Sequence, residues 1–544
     1  KHQNEIPLAS DVVALLHLRT RHERRSHPVE QLQLFALHRH VRDHRHRSTH
    51  QLRRNRHRAA RDDALVGEAP HPPVHRRRRE AHPRTQGRLR GTGVLLQRDQ
   101  KHPVDRVQLR THGTIVDPEC FSRNKIAFRI LASEFLTRHI DSLTGALKDV
   151  TMTTDILTRA RGWRRDLHQR PGLAFDVAEA ADYVAAVLTE LGWDVEQGIG
   201  QRGLVGTLRR GTNPRAIGLR SDMDGLAIDE ATGVGYASRN PGVMHACGHD
   251  GHMAMLLGAA AVLADRSDLD SAALDGTVHL FFQPAEEPGR GALAMIDDGL
   301  FDRFPVDAVF GLHNLPGIPA GELHTRSGPI MAAEDNFEIT VTGRGGHASM
   351  PHLVVDPLLV GAEIVSALQT IVARSADPSH GVVVSCTEFT TDGARNAIPG
   401  VAVIKGDTRT FTDDDSQLVE RRMRELSAGI GAAHGASVEV KYTREFRPTV
   451  NDPACVEAAD VAATATVGAD RVNGDCARLM ASEDFGEFAR IVPGCFVFLG
   501  TGTVPGEGGT PLHSNDYDFN DAVLGVGIDF YVNLVTAELA GSER

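Results

Sequence analysis

Aromatic residues are scarce in this chain. Its 544 residues include two Trp and five Tyr, and Phe, Trp and Tyr together make up 5%. Six cysteines, widely scattered, form no disulfide framework, so a reducing cytoplasm is the expected setting. No apolar run reaches the roughly 18 residues of a spanning helix, and no membrane partner is expected. The opening Lys1-His2-Gln3-Asn4-Glu5 begins no signal-peptide pattern. There is no detectable internal repeat. No Gly-x-Ser-x-Gly elbow stands out, which argues against a serine hydrolase.

The length implies two or more domains. The formal net charge of −11 hides a split. Residues 1–151 hold 30 Lys+Arg against 16 Asp+Glu, a formal +14, and 16 of the 28 histidines. The remainder holds 30 against 55, a formal −25. Stretches such as His75-Arg76-Arg77-Arg78-Arg79 show no lasting period, and so polar a segment buries little apolar area against its ordering entropy. The first methionine is Met152, and periodic texture starts directly after it. The N-terminal stretch is therefore expected to be an upstream extension from a misplaced start. The alternative is a basic, disordered nucleic-acid tail, but it lacks the interleaved aromatics that stack bases, and no nucleic-acid partner is expected.

From Met152 onward, helical spacing covers Asp155 to His168, Val177 to Leu191 and Asp250 to Ala264. Strands are predicted over Leu204 to Leu208, Ala216 to Arg220, Thr277 to Phe282 and Ala308 to Leu312, the last ending at His313. Alternating strands and helices predict an α/β layer fold, with sites at strand C-terminal ends. Between Asn336 and Arg444 the predicted order becomes β-α-β-β-α-β, the ferredoxin-like signature. The domains expected are a first catalytic part over 152–335, an inserted domain over 336–444 and a second catalytic part over 445–544.

The densest chemistry lies in Met244-His245-Ala246-Cys247-Gly248-His249-Asp250-Gly251-His252, a thiol and three imidazoles within nine residues. Thiolates and neutral imidazoles suit zinc-like divalent ions. The segment is no zinc-finger knuckle, because no partner pair exists. Asp222 and Asp224 share a side in extended chain, either as solvated strand-end acids or as carboxylates that serve a metal. Glu286 and Glu287 close an apolar strand, where charge is costly unless paired or metal-bound. One can ligate while the other takes a proton from water. His313 and His513 read singly as structural residues and together as distant ligands. In the inserted stretch, His347 follows a glycine turn, and Asn396 and Arg409 are polar groups near strands. An arginine fork suits a substrate carboxylate, though an edge-strand charge explains Arg409 equally well.

Taken in order, these segments resemble the di-metal amidohydrolase and peptidase family that includes hippurate hydrolase, aminoacylases and the plant auxin-conjugate hydrolases. The likeness runs over about 152–540. It rests on Trp163-Arg164-Arg165-Asp166-Leu167-His168-Gln169-Arg170-Pro171, Leu219-Arg220-Ser221-Asp222-Met223-Asp224-Gly225-Leu226, the Cys247/His249 segment and Gln283-Pro284-Ala285-Glu286-Glu287. It continues through Gly311-Leu312-His313, Gly345-Gly346-His347-Ala348, Ala481-Ser482-Glu483-Asp484-Phe485 and Pro511-Leu512-His513-Ser514.

The resemblance implies a di-metal aminopeptidase-like catalytic domain with an inserted lid and dimerisation domain. It implies two divalent ions (Mn, Zn, Co or Ni) on Cys247, His249, Glu287, His313 and His513. Glu286 would be the general base and Asp224 the carboxylate that orients the site. His347 would steady the oxyanion of a neighbouring subunit's site, in a homodimer or homotetramer, and Asn396 and Arg409 would touch the substrate carboxylate. Cys247 and Asp222 point to the acyl-amino-acid branch, so the implied activity is metal-dependent hydrolysis of N-acyl amino acids by activated water. The alternatives are a dipeptidase or N-acetyl-diaminopimelate-type deacetylase of the same fold, and a non-enzymatic nucleic-acid binder with a structural metal.

Overall fold

The computed structural model describes residues 155–265 and 274–539, together with the backbone of a short antiparallel pairing of Arg110–Thr111 with Thr114–Ile115. Apart from that pairing, the basic stretch 1–151 lies outside the described residues. The chain divides into two compact units after Cys120. Everything below belongs to the second.

Its strands are β1 (Asp194–Ile199), β2 (Gly203–Arg210), β3 (Ala216–Asp222), β4 (Gly276–Gln283), β5 (Ala308–Pro316) and β6 (Leu323–His324). There follow β7 (Ala333–Thr342), β8 (Val383–Thr391), β9 (Val401–Thr410), β10 (Ser437–Phe446), β11 (Val472–Asn473) and β12 (Gly494–Gly502). The main helices are α1 (residues 155–168), α2 (Ala178–Glu190), α3 (His249–Asp265), α4 (Pro357–Thr370), α5 (Asp413–His434), α6 (Pro453–Val467) and α7 (Leu524–Glu538).

Eight strands form one sheet in the order β11-β6-β12-β5-β3-β4-β2-β1. Its middle is parallel: β3 lies between β4 and β5, and β12 follows β5. Strands β3 and β4 are buried from end to end, as a sheet covered on both faces requires. Leu167, Leu188, Leu257, Ala459 and Leu534, from α1, α2, α3, α6 and α7, belong to one core. Phe281, Met295, Leu300, Phe485, Phe488 and Phe496 belong to the other. Helix α3 has almost no exposed face, so its first residues, His249 to His252, are carried into the interior with it. Because β3, β4 and β5 run side by side, their carboxyl ends deliver Asp222, the 283–287 turn and His313 to one place. Strand β5 runs on to Pro316, so His313 sits within it rather than at its end. Parallel pairing with β12 as far as Gly502 carries it further than its apolar run suggested.

The second sheet has the order β8-β9-β7-β10 and is antiparallel throughout. Strand β7 alternates buried and half-buried residues. Phe337, Ile339 and Val341 face Val360, Ile364, Leu368, Val419 and Met423 of α4 and α5, and the other face is polar. Asp356 caps α4 through the Leu358 N–H at 2.9 Å. Thr412 caps α5, whose first turn carries three aspartates, and Gly435 (φ 72°) ends it. The segment Pro357–Ser375 is long and apolar enough to cross a membrane by length and composition, although Glu363, Gln369 and Arg374 interrupt it and it is no unbroken apolar run. It lies on the second sheet and leaves Leu358, Leu359 and Val372 exposed.

Candidate metal centre and active site

Cys247, His249, Glu287, His313 and His513 converge. Cys247 Sγ lies 3.6 Å from His313 Nε2, His249 Nε2 lies 3.9 Å from one Glu287 oxygen, and His513 Nε2 lies 3.7 Å from the other. The first four are at least mostly buried, and His513 stands exposed at the mouth. Gly248 between Cys247 and His249 has φ +93°, and a Cβ there would stand 2.4 Å from Asn314 Oδ1. Only glycine lets the thiol and the imidazole share this turn.

Two backbone carbonyls set the tautomers. His249 Nδ1 donates to the Asp224 carbonyl at 2.9 Å, and His313 Nδ1 to the Asn314 carbonyl at 2.7 Å. Each Nε2 lone pair is thereby left free toward the centre. His249 Nε2 and Glu287 Oε1 are buried without a hydrogen-bond partner. Such orphans are costly and call for an ion or a ligand.

The electrostatics agree. Burial lowers the pKa of His249, but Asp222 and Cys247 outweigh it and hold the imidazole well above its ordinary range. Burial pushes the Cys247 thiol up to about 12 and the Glu287 carboxyl to about 7. A cation would take the place of these protons, and its binding would release them. Soft sulfur, imidazole and carboxylate donors suit Zn, Co, Ni or Mn.

Asp224 is fully buried and accepts the Glu286 and Glu287 N–H groups, each at 3.1 Å, on its two oxygens. Glu286 lies in a carboxylate cluster with Glu483 and Asp484. Burial, then Glu483, Glu287 and Asp484, push its carboxyl well above the ordinary range. The buried Arg220 guanidinium ties this cluster together, donating to Gln283 at 2.9 Å, Asp222 at 2.7 Å, Glu483 at 2.8 Å and Asp484 at 3.1 Å.

Sequence reasoning assigned no role to Arg220, Glu483 or Asp484. One signal was available: an arginine inside the apolar strand Ala216-Ile217-Gly218-Leu219-Arg220 must find buried acids. Asp222, His249, His252 and His313 form a second buried group able to hold a cation. Within it Asp222 and His252 already bond each other at 2.7 Å, and His252 Nε2 accepts the Asn314 N–H at 3.1 Å. His245 joins neither group. Burial pushes its imidazole down to about 4, and its ring nitrogens have no partner among the described residues.

The remaining predicted residues lie on the second sheet's unit. His347 is exposed, pairs through its backbone with Ala397, and its Nδ1 accepts from Ser349 Oγ at 2.8 Å. The exposed Asn396 meets the same loop through its carbonyl, which accepts the Ala348 N–H at 3.1 Å. No hydrogen bond or ion pair joins either to the metal cluster among the described residues. The Arg409 fork is engaged by Asp407, Glu334 and Ser482, each at 2.7 Å. These bonds use Nε and Nη1, and among the described residues only Nη2 is left to meet a further acceptor.

A model of peptidase family M20/M25/M40 matches residues 218–537. The chain belongs to that family. Hippurate hydrolase of Campylobacter jejuni is 38% identical over 371 residues, 68% of this chain and 94% of that protein. The IAA-amino acid hydrolase ILR1-like 4 of Arabidopsis thaliana is 33% identical over 70% of this chain and 85% of its own length. Among solved structures, the YXEP protein of Bacillus subtilis is described as a dinuclear metal binding peptidase from the M20 family. It matches with a TM-score of 0.62 and 30% identity, over 71% of this chain and 99% of its own. The stretch matched by the family model contains Cys247, His249, Glu286, Glu287, His313 and His513.

Proposed function

We propose that this M20-family chain is a metal-dependent hydrolase that cleaves the amide bond of N-acyl amino acids, giving a carboxylic acid and a free amino acid. The observation that carries this is the pair of orphaned buried atoms, His249 Nε2 and Glu287 Oε1, in one donor group with Cys247 and beside His313 and His513. Two divalent cations held by these five residues would supply Lewis acidity toward the amide carbonyl and toward water.

The chain's own residues do the rest. Glu286, kept basic by burial and by neighbouring acids, takes a proton from the attacking water and returns it to the leaving amine. Asp224 holds the turn that aims it. The similarity to a hippurate hydrolase and to an N-acyl-L-amino acid amidohydrolase of Geobacillus stearothermophilus supports the substrate class.

His347 is exposed and, among the described residues, has no hydrogen bond or ion pair to the cation donors; in this reading it acts at a second subunit's site, where it donates to the tetrahedral oxyanion. Asn396 lies beside it, and Arg409 bonds Ser482, the residue before Glu483. The unit that bears them exposes Met350, Leu353, Leu358, Leu359, Val372 and Phe389, an apolar set suited to a homodimer. In this reading that unit, residues 336–444, serves as lid and dimerisation surface, and the enzyme works in the cytoplasm.

The test is Glu286→Gln assayed on N-benzoyl, N-acetyl and indole-acetyl amino acids, with dipeptides as the contrast. Turnover of the acyl amino acids is expected to fall about 100-fold or more, with metal content by elemental analysis unchanged. Near-normal turnover in the metal-loaded variant overturns the base assignment, and preference for dipeptides overturns the substrate class.

A further inference from the structure

Four non-glycine residues among those described have left-handed backbone, and three of them surround the centre: Ala174 (φ 49°), Ala285 (φ 51°) and His513 (φ 62°). Such conformations persist where the surroundings over-determine them, and they cluster at functional sites. Two of the three are bonded to each other. The Ala285 N–H donates to the Ala174 carbonyl at 3.0 Å.

Ala174 lies in the strap of residues 171–176 between α1 and α2, more than a hundred residues from the turn it meets. The strap is itself anchored. Gly225 N–H donates to the Gly172 carbonyl at 2.8 Å, Leu173 bridges Gly225 in parallel, and Asp176 N–H closes a turn on the Leu173 carbonyl at 2.8 Å. Gly225 follows Asp224, whose carboxylate takes the next two N–H groups of the same turn. Three successive amides, at 285, 286 and 287, are therefore each held by an acceptor outside the turn. The Ala285 carbonyl is held too, by the N–H groups of Arg290 at 3.1 Å and Gly291 at 2.8 Å.

We propose that the strap is a positioning element for Glu286: the Ala174 carbonyl sets the direction in which the base leaves its turn. This rests on the reading of Glu286 as the base. Among the described residues no hydrogen bond or ion pair joins the strap to Cys247, His249, Glu287, His313 or His513; Glu287 shares the turn but is held there by Asp224, so metal content is read beside turnover to separate the aim of the base from the seating of that donor. The strap has two sensitive points. A Cβ on Gly172 would stand 1.8 Å from the Asp176 carbonyl oxygen, so alanine there forces the turn open. At Ala174, a β-branched residue resists positive φ while glycine adopts it freely.

The experiment measures kcat, KM, metal content and melting temperature for Gly172→Ala, Ala174→Val and Ala174→Gly on an N-acyl amino acid. For the first two, kcat is expected to drop about tenfold to a hundredfold, as for a misaimed catalytic group, with metal content retained. KM is expected to stay within about threefold, the split that marks loss of transition-state stabilisation alone. The conservative Ala174→Gly keeps the carbonyl and the conformation, and is expected to recover most of the turnover lost in Ala174→Val. If Gly172→Ala does not fold, Ala174→Val decides. Unchanged kcat in a folded Ala174→Val overturns the proposal, and so does a fall in kcat that only tracks lost metal or lost fold. An active Glu286→Gln would instead overturn the base reading, and the two failures are told apart by which variant keeps its turnover.

Discussion

The two sheets treat charge in opposite ways. Beneath the large sheet's carboxyl edge, Arg220 is 2% exposed and surrounded by Asp222, Glu483 and Asp484, all at 1%. On the open face of the small sheet, Glu388, Lys405, Glu338 and Lys441 stand in register across four neighbouring strands, acid and base alternating in water. Lys405 lies 3.6 Å from Glu338 and 3.9 Å from Glu388, and it and Lys441 are the two lysines of residues 152–544. A row of exposed pairs is screened and worth little, whereas a buried arginine among acids is costly to assemble and more costly to break. The difference locates the chemistry: the buried network borders Glu286, and the exposed ladder borders solvent.

The largest expected effect is on the buried side. Arg220→Met leaves three buried carboxylates without their cation, and it is expected to destabilise the chain by about 3–5 kcal/mol in urea unfolding. A loss near that of a surface mutation would mean that the network is not held together by this residue.

A middle-sized effect is expected from His168, whose imidazole bonds Asp250 at 2.8 Å and Glu230 at 3.3 Å behind the metal cluster. Burial lowers its pKa, but the Asp250 charge and hydrogen bond and the Glu230 bond outweigh it, raising the group to about 9. The folded value lies above the unfolded one, so the charged form contributes stability fully present below about pH 6.5 and lost as pH rises through about 9. Unfolding midpoints of the parent and His168→Gln should therefore converge between pH 6 and pH 10. A gap that widens over this range contradicts the charged pair.

The smallest effect belongs to the ladder. Lys405→Ala is expected to change stability by less than about 1 kcal/mol, the change shrinking further in 1 M salt. A larger, salt-resistant loss would show that the open face is covered in the working protein.

Much of the architecture was legible beforehand because it is written in local periods. Helix α1 was predicted over its observed residues, and α2, α3 and most strands within one to three residues of their ends. The donor residues were legible because a thiol and imidazoles crowd Cys247 to His252 and paired glutamates close an apolar strand. The roles of Arg220, Glu483, Asp484 and Ala174 were not. Glu483 meets Arg220 across 263 positions, and nothing local marks either as a partner of Glu286. Arg409 shows the converse: its type suited a substrate carboxylate, and only the folded chain reveals that Glu334, Asp407 and Ser482 already hold its fork.

The chain's own pattern thus determined which segments become strands and helices and which side chains are able to bind a cation, because side-chain chemistry and a period of two or 3.6 are properties of neighbours in sequence. Tertiary structure alone decided that five such side chains point into one space, that the tautomers of His249 and His313 are set by the carbonyls of Asp224 and Asn314, and that burial and then acids from elsewhere push the Glu286 carboxyl up. Convergence, burial and strain arise only when parallel strands align their ends and bury what they carry, and no stretch of sequence contains that information by itself.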